Sequence, residues 1–267
     1  MATRPARPAR PRLKPILMPA EHGGWSFIGA PIILGLVVAP SWIGLQVSIA
    51  GLLMFLSRQP LKMAAKDILQ SKWFPRTGWA LGLGGAEIAV AFVLLATAIF
   101  LSSRSLLLPT GIFLGVAVVQ FVYDSLGKGR NTLPEIIGAS AAAVIATIIG
   151  IAGGLAAFQA WLLAGILVLH SALAIVYVGV RLDLAHERPT SVPLVWLTGV
   201  VVLVTAILMA LQGWASWPIV FAFLILAARA VWGVSPRRAK VKPHFIGMQE
   251  IGYSLIVVTA AAMAVRP

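Results

Sequence analysis

Long apolar runs separated by short polar stretches dominate the chain. A hydrocarbon core about 30 Å thick requires roughly 20 mostly apolar residues in a helix, and somewhat fewer where flanking side chains reach the headgroups. The pattern therefore predicts an all-α, polytopic membrane protein with about nine transmembrane helices. The runs lie near residues 24–39, 41–57, 79–101, 106–123, 134–157, 159–181, 192–211, 216–233 and 245–264.

Basic residues fall almost entirely on one side of this alternation. They precede the first run and accompany every second connection, and only Arg104 and Arg266 of the 21 lysines and arginines lie on the other side. Because basic connections stay in the cytoplasm, the N-terminus is predicted to be cytoplasmic and the C-terminus external. Topology thus accounts for the net charge of +13, and nucleic acid is not expected as a partner.

Composition supports a membrane location, since 60% of residues are hydrophobic and only 11% are charged, far from the balance of a soluble domain. The chain has no cysteine, which excludes disulfides and thiolate metal sites. Residues 1–17 are rich in proline and arginine and are predicted to form a disordered basic tail. Residues 18–267 are predicted to form a single transmembrane domain.

The fourth connection gathers the most chemistry, in the stretch "FVYDSLGKGRNTLPEIIGAS" at residues 121–140. Gly127 and Gly129 permit a tight turn beside the cations Lys128 and Arg130, and a proline starts the next helix. Such a loop is able to hold an anion. The alternative is an ordinary cytoplasmic loop, in which lysine, arginine and glycine are common.

Part of this stretch, "YDSLGKGRNTLPEIIGA", resembles the "YPxxKRxTxxPQxxLG" segment of the UbiA superfamily of intramembrane prenyltransferases. It departs from that segment at Asp124, where the family has proline, and at Gly129, which separates the two cations. The matching positions of the UbiA segment are Tyr123, Lys128, Arg130, Thr132, Pro134 and Gly138.

A broader resemblance is to the YwiC-like family of bacterial membrane proteins. It is carried by "PAEHGGWSFIGAPIILGL", "SRQPLKMAAKD" and "GMQEIGYSLI".

The UbiA resemblance implies a UbiA-like helical bundle that holds a prenyl diphosphate with cations and with Mg²⁺ on carboxylates. The resemblance makes Asp67, Asp183 and Glu187 candidate catalytic residues and metal ligands. Asp183 and Glu187, four residues apart, would share the metal, although acids at this spacing also occur by chance. The second connection departs from the family, because Asp67 is its only acid. The cations expected to bind the diphosphate are Arg58, Lys62, Lys66, Lys128, Arg130 and Arg181. If the first three of these cations, which share one helical face, turn outward, they contact anionic lipid instead of the diphosphate.

Other ionisable residues allow more than one interpretation. Glu21 and His22, at the start of the first run, are candidates for catalysis or equally for a structural pin. Glu87 lies about 12 Å deep in the third run and is either a cavity-lining acid or a core carboxyl. Glu250 is expected to pair with Arg229. His170 is more typical of a core histidine than of a ligand or proton relay, and Tyr123, Asp124 and Tyr177 are expected to line a cavity.

Three functions follow as hypotheses. The first is a UbiA-like prenyltransferase of the bacterial cytoplasmic membrane that acts on a lipid or isoprenoid at a cytoplasm-facing cavity, with Mg²⁺ as the expected cofactor. The second is a small-anion transporter, although Glu87 and His170 supply almost the only polarity near the midplane. The third is a non-catalytic assembly factor with a degenerate site, and the missing acids of the second connection favour it. The sequence identifies no protein partner.

Overall fold

The computed structural model describes residues 24–102, 104–129, 131–237 and 243–265. Those ranges contain nine α-helices, one short 3₁₀ turn at Arg104–Leu106 and no strand, so the prediction of an all-α polytopic membrane protein is confirmed. In chain order the helices are α1 (Gly24–Val38), α2 (Trp42–Leu69), α3 (Pro75–Leu101), α4 (Leu107–Ser125), α5 (Thr132–Ala152), α6 (Ala157–Ala185), α7 (Val192–Leu211), α8 (Pro218–Val234) and α9 (Pro243–Ala264).

Six of these helices, α3 to α7 and α9, are long and apolar enough to cross a membrane, and α1 and α8 are shorter apolar helices. The remaining helix, α2, differs from its prediction. Its end was expected near residue 57, but it continues to Leu69 in spite of Pro60. Residues 61–69, "LKMAAKDIL", are mostly strong helix formers, and α3 packs along this extension. Arg58, Lys62 and Lys66 of the predicted second connection therefore lie on helical turns of α2.

The extension of α2 is held by close contact with α3. A Cβ atom on Gly84 of α3 would lie only 2.8 Å from Cγ of Leu61. Because glycine has no Cβ, the two helices approach closely at this point, which is how small residues act at helix interfaces in membranes. The short turn at residues 70–74 then brings the start of α3 beside the last turn of α2.

The centre of the bundle is formed by α5 and α6. About 56% and 67% of their membrane-spanning residues are buried, against 22% in α3 and α7. One apolar core is formed by residues of α1, α2, α3, α4 and α5. A second is formed by residues of α1, α5, α6, α7, α8 and α9. Ile145 and Ile149 of α5 fill the space left by Gly51 of α2 and Gly35 of α1. The two halves of the bundle thus share α1 and α5.

The outer surface is apolar, and exposed tryptophans mark both ends of the bundle, as is typical at the two interfaces of a membrane. At one end, which we call the basic end, the side chains of Arg58 and Asp124 meet, and Arg229 meets Glu250. At the opposite end Ser216 Oγ donates to the carbonyl oxygen of Met263 at 3.3 Å. These tryptophans are Trp25, Trp73, Trp79, Trp196 and Trp232 at the basic end and Trp42, Trp214 and Trp217 at the other.

Candidate functional site

A buried carboxylate gathers two cations at the basic end of α2 and α4. Arg58 binds the carboxylate of Asp124 through both Nε and Nη2, and the Nη2–Oδ1 distance is 2.9 Å. Lys62, one turn further along α2, places Nζ 3.8 Å from the same Oδ1. The Asp124 side chain is fully buried, whereas those of Arg58 and Lys62 are 32% and 29% exposed. We call these three residues the Asp124 cluster.

The loop between α4 and α5 folds back onto this cluster. Gly127 adopts a left-handed φ of 73°, which glycine tolerates at no cost. Gly129 is buried, and a Cβ atom there would collide with Oδ1 of Asp124. Gln120, one turn before Asp124, is oriented so that its amide oxygen accepts from Arg58 Nη2 at 3.0 Å while its nitrogen donates to the carbonyl oxygen of Pro134. The loop therefore packs closely against the side chain of Asp124.

The exposed cations near the cluster are Lys66 on α2 and Lys128 in the loop. The backbone N–H of Lys128 donates to the carbonyl oxygen of Tyr123 at 2.9 Å, which fixes the position of the loop while leaving the ammonium group exposed. Tyr123 itself is half-buried, and its role in lining a cavity stays a prediction. Arg130, the second predicted cation of this loop, lies outside the described residues.

Asp67, predicted as a catalytic residue and metal ligand, is bound by protein groups on both of its oxygens. Arg76 donates from Nε at 3.1 Å to Oδ2 and from Nη2 at 2.8 Å to Oδ1. Thr77 Oγ1 donates to Oδ2 at 2.8 Å. The Arg76 guanidinium holds the pKa of Asp67 below its ordinary value against the opposing effect of burial, with help from Thr77. This carboxylate joins the last turn of α2 to the start of α3.

A second buried polar cluster lies in the other half of the bundle. Arg229 of α8 donates from Nη1 to Glu250 Oε1 of α9 at 2.6 Å, so the predicted pairing is confirmed. The guanidinium carbon lies 4.1 Å from the ring centre of Tyr177 and 4.3 Å from that of Tyr253. Arg181, predicted as a diphosphate ligand, is buried and donates to the carbonyl oxygen of Gly233. We call Arg229, Glu250, Tyr177 and Tyr253 the Arg229 cluster.

Two predicted polar residues lie deeper in the bundle. His170 is buried, and its Nε2 forms a hydrogen bond of 2.9 Å with Ser254 Oγ. This agrees with the interpretation as a core histidine, although its Nδ1 has no partner in the described part of the chain. Glu87 is half-buried, and its Oε2 likewise has no partner among the residues described.

The predicted magnesium ligands do not come together. Across the described ranges, no three His, Asp or Glu side chains form a group that could hold a metal ion. Helix α6 ends at Ala185, and Glu187 follows it with a left-handed φ of 55°, so Asp183 and Glu187 do not share a helical face. The expectation of a site built from Asp67, Asp183 and Glu187 was wrong. The described residues therefore do not fit a magnesium ion held by the protein alone.

Four residues that contact the predicted site residues were not themselves predicted from the sequence: Gln120, Arg76, Tyr253 and Ser254. Gln120 and Asp124 are four residues apart at the end of an apolar helix, a spacing that places them on one face. Glu250 and Ser254 show the same spacing on α9. Arg76 and Tyr253 carried no signal of their own, because many cations and aromatic residues lie near the ends of these helices. Glu21 and His22 lie outside the described residues.

The fold and its polar clusters define the class: a multi-pass helical membrane protein with ion-paired side chains buried at one end of the bundle. Residues 18–150 match the model of the YwiC-like protein family, and over this half the chain belongs to that family. The matched region contains the Asp124 cluster and the pair of Asp67 with Arg76, whereas the Arg229 cluster lies beyond it. Comparisons with curated proteins and with solved structures give no match.

Proposed function

We propose that this protein binds the phosphate or diphosphate head of an isoprenoid or related lipid at the Asp124 cluster, as a UbiA-like enzyme of the bacterial cytoplasmic membrane. The basic end faces the cytoplasm in this proposal, in agreement with the distribution of lysine and arginine along the chain. The lipid tail lies against the apolar outer surface of the bundle, and the head reaches the cations at the ends of α2 and α4.

The observation that carries the proposal is the excess of positive charge at the Asp124 cluster, where the described residues place two cations on one carboxylate. Arg58 and Lys62 share one carboxylate, that of Asp124, and both side chains keep about a third of their surface exposed. Lys66 and Lys128 add two exposed ammonium groups at the same end. A phosphate group neutralises such an excess through charge-assisted hydrogen bonds, which are the strong ones. Anionic lipid heads are concentrated at this depth of the membrane.

In this proposal the cations have different roles. Arg58 already binds Asp124 through two nitrogens, so it holds the cluster together. The direct contacts to the phosphate come from the lysines 62, 66 and 128. In a prenyl transfer these ammonium groups stabilise the negative charge that develops on the departing diphosphate. No step in this scheme passes through a magnesium ion.

The test is equilibrium binding of labelled farnesyl or geranylgeranyl diphosphate to the purified protein in nanodiscs. Lys62→Ala and Lys128→Ala are each expected to weaken binding about tenfold, equivalent to about 1.4 kcal/mol. Arg237→Ala removes the same charge from an exposed position in the other half of the bundle and serves as the matched control. Equal binding by all four proteins would remove the proposal.

A second candidate is a non-catalytic factor that binds the same lipid head without turning it over. Both oxygens of Asp67 are occupied by Arg76 and Thr77, which favours this candidate over metal-dependent transfer. The same preparation separates the two. Release of diphosphate that is lost in Lys128→Ala supports the enzyme, and tight binding without release supports the factor.

A further inference from the structure

Arg229 has partners on three sides, and one edge of its guanidinium group, formed by Nε and Nη2, has no hydrogen-bond partner in the described part of the chain; we call it the open edge. Tyr177 and Tyr253 lie against its guanidinium group, and Nη1 donates to Glu250. The two remaining nitrogens, Nε and Nη2, are buried and have no hydrogen-bond partner among the described residues. The side chain as a whole is only 10% exposed. Buried groups of this kind are nearly always paired in folded proteins, so the open edge requires an explanation.

The chemistry of that edge is specific. The N–H groups of Nε and Nη2 point in the same direction and are spaced to meet two oxygens of one oxyanion. Glu250, which pairs with Nη1 of the same guanidinium group, has a second buried atom, the acceptor Oε2, that has no partner in the described part of the chain. A ligand that accepts from Arg229 and donates to Glu250 satisfies both groups. A hydrogen phosphate or phosphomonoester carries both unprotonated oxygens and a P–OH group.

We propose that the open edge of Arg229 is a phosphate-binding site, distinct from the Asp124 cluster. Arg229 lies five residues before the end of α8, about 7.5 Å along the helix axis, so a phosphate reaches it from the basic end. Arg181, which donates to Gly233 one turn further along α8, adds positive charge on the path. The source is either free phosphate or a lipid with a phosphomonoester head, because both present the same group.

The test measures stabilisation by phosphate. The full chain in phosphatidylcholine nanodiscs is titrated with inorganic phosphate at constant ionic strength, with chloride as the reference salt, and unfolding is followed by tryptophan fluorescence. A ligand of the folded state raises the unfolding temperature with increasing concentration. Arg229→Lys keeps the positive charge and removes the pair of N–H donors that Nε and Nη2 provide. Arg237→Lys makes the same exchange at an exposed position and is the matched control.

The proposal predicts that phosphate stabilises the wild type more than chloride does. In Arg229→Lys the apparent affinity falls at least about tenfold, and in Arg237→Lys it does not change. Nanodiscs with added phosphatidic acid separate the sources: stabilisation by this lipid alone identifies a headgroup, and stabilisation by inorganic phosphate identifies the free anion. If neither stabilises the protein, or if Arg229→Lys responds as the wild type does, the proposal is overturned and water alone fills the edge.

Two further variants keep the result interpretable. If Arg229→Lys does not fold, the double variant Arg229→Gln with Glu250→Gln removes both charges together and is measured in its place. Lys62→Ala, which weakens prenyl-diphosphate binding in the proposed function, is expected to keep the phosphate effect of Arg229. Loss of one effect with retention of the other shows which of the two proposals has failed.

Discussion

Replacing Asp124 by asparagine tests how much the charge of this carboxylate contributes to the free energy of unfolding. The amide keeps the shape of the side chain but loses the negative charge that Arg58 and Lys62 share. Breaking a fully buried ion pair costs about 3–5 kcal/mol. Here both cations are about a third exposed and regain part of their hydration, so we expect a loss of about 2–3 kcal/mol in the free energy of unfolding.

Asp67→Asn is the matched comparison, because it also removes one carboxylate bound by an arginine through two nitrogens. The Arg76 side chain is 49% exposed and is easily hydrated when its partner is lost. The expected loss is therefore smaller, about 1–2 kcal/mol. Both variants are unfolded with SDS in mixed micelles, and the free energies are obtained from tryptophan fluorescence. A loss in Asp124→Asn that is equal to or smaller than that in Asp67→Asn would refute the reasoning from burial.

The other predictions concern pH, a close contact and a buried pair. The pKa of Asp67 is lowered in the folded state, so the carboxylate stabilises the fold above its ordinary pKa of 3.8. In a stability titration, the difference in unfolding free energy between wild type and Asp67→Asn should therefore disappear as pH falls below 3.8 and through the lowered pKa. Gly129→Ala should cost about 1–3 kcal/mol in SDS unfolding, whereas Gly115→Ala, which meets no atom within 4 Å, should cost nothing. Arg229→Met should cost about 3–5 kcal/mol, and adding Glu250→Leu should restore most of it in a double-mutant cycle; a double variant as unstable as the single one would contradict this.

The helical framework could be predicted because bilayer thickness fixes the length of an apolar run. The extension of α2 beyond residue 57 could not be predicted. Cations such as Arg58 and Lys66 that follow an apolar run are also the pattern expected of a cytoplasmic loop. The contact that holds the extension is tertiary: Gly84 lets α3 approach Leu61. A pattern along one helix contains no information about such a contact.

The polar contacts of the candidate sites also include some that the sequence could predict and some that it could not. The pair of Arg229 and Glu250 could be predicted because a single cation and a single acid lie at similar depths in neighbouring apolar helices. The partner of Asp67 could not, since several cations are within reach at the end of α2 and only the turn before α3 selects Arg76. The fit of Gly129 around Asp124 depends on how the loop folds back, which its composition does not determine.

The most direct measurement of the central claim is chemical labelling of lysines in the presence of a lipid diphosphate. The protein in nanodiscs is treated with an amine-acylating reagent, with and without farnesyl diphosphate, and each lysine is followed by mass spectrometry. We predict that farnesyl diphosphate protects Lys62 and Lys128 and leaves Lys72, an exposed lysine in the turn between α2 and α3, equally reactive. Unchanged labelling of Lys62 and Lys128 would contradict the proposal that the Asp124 cluster holds the phosphate head.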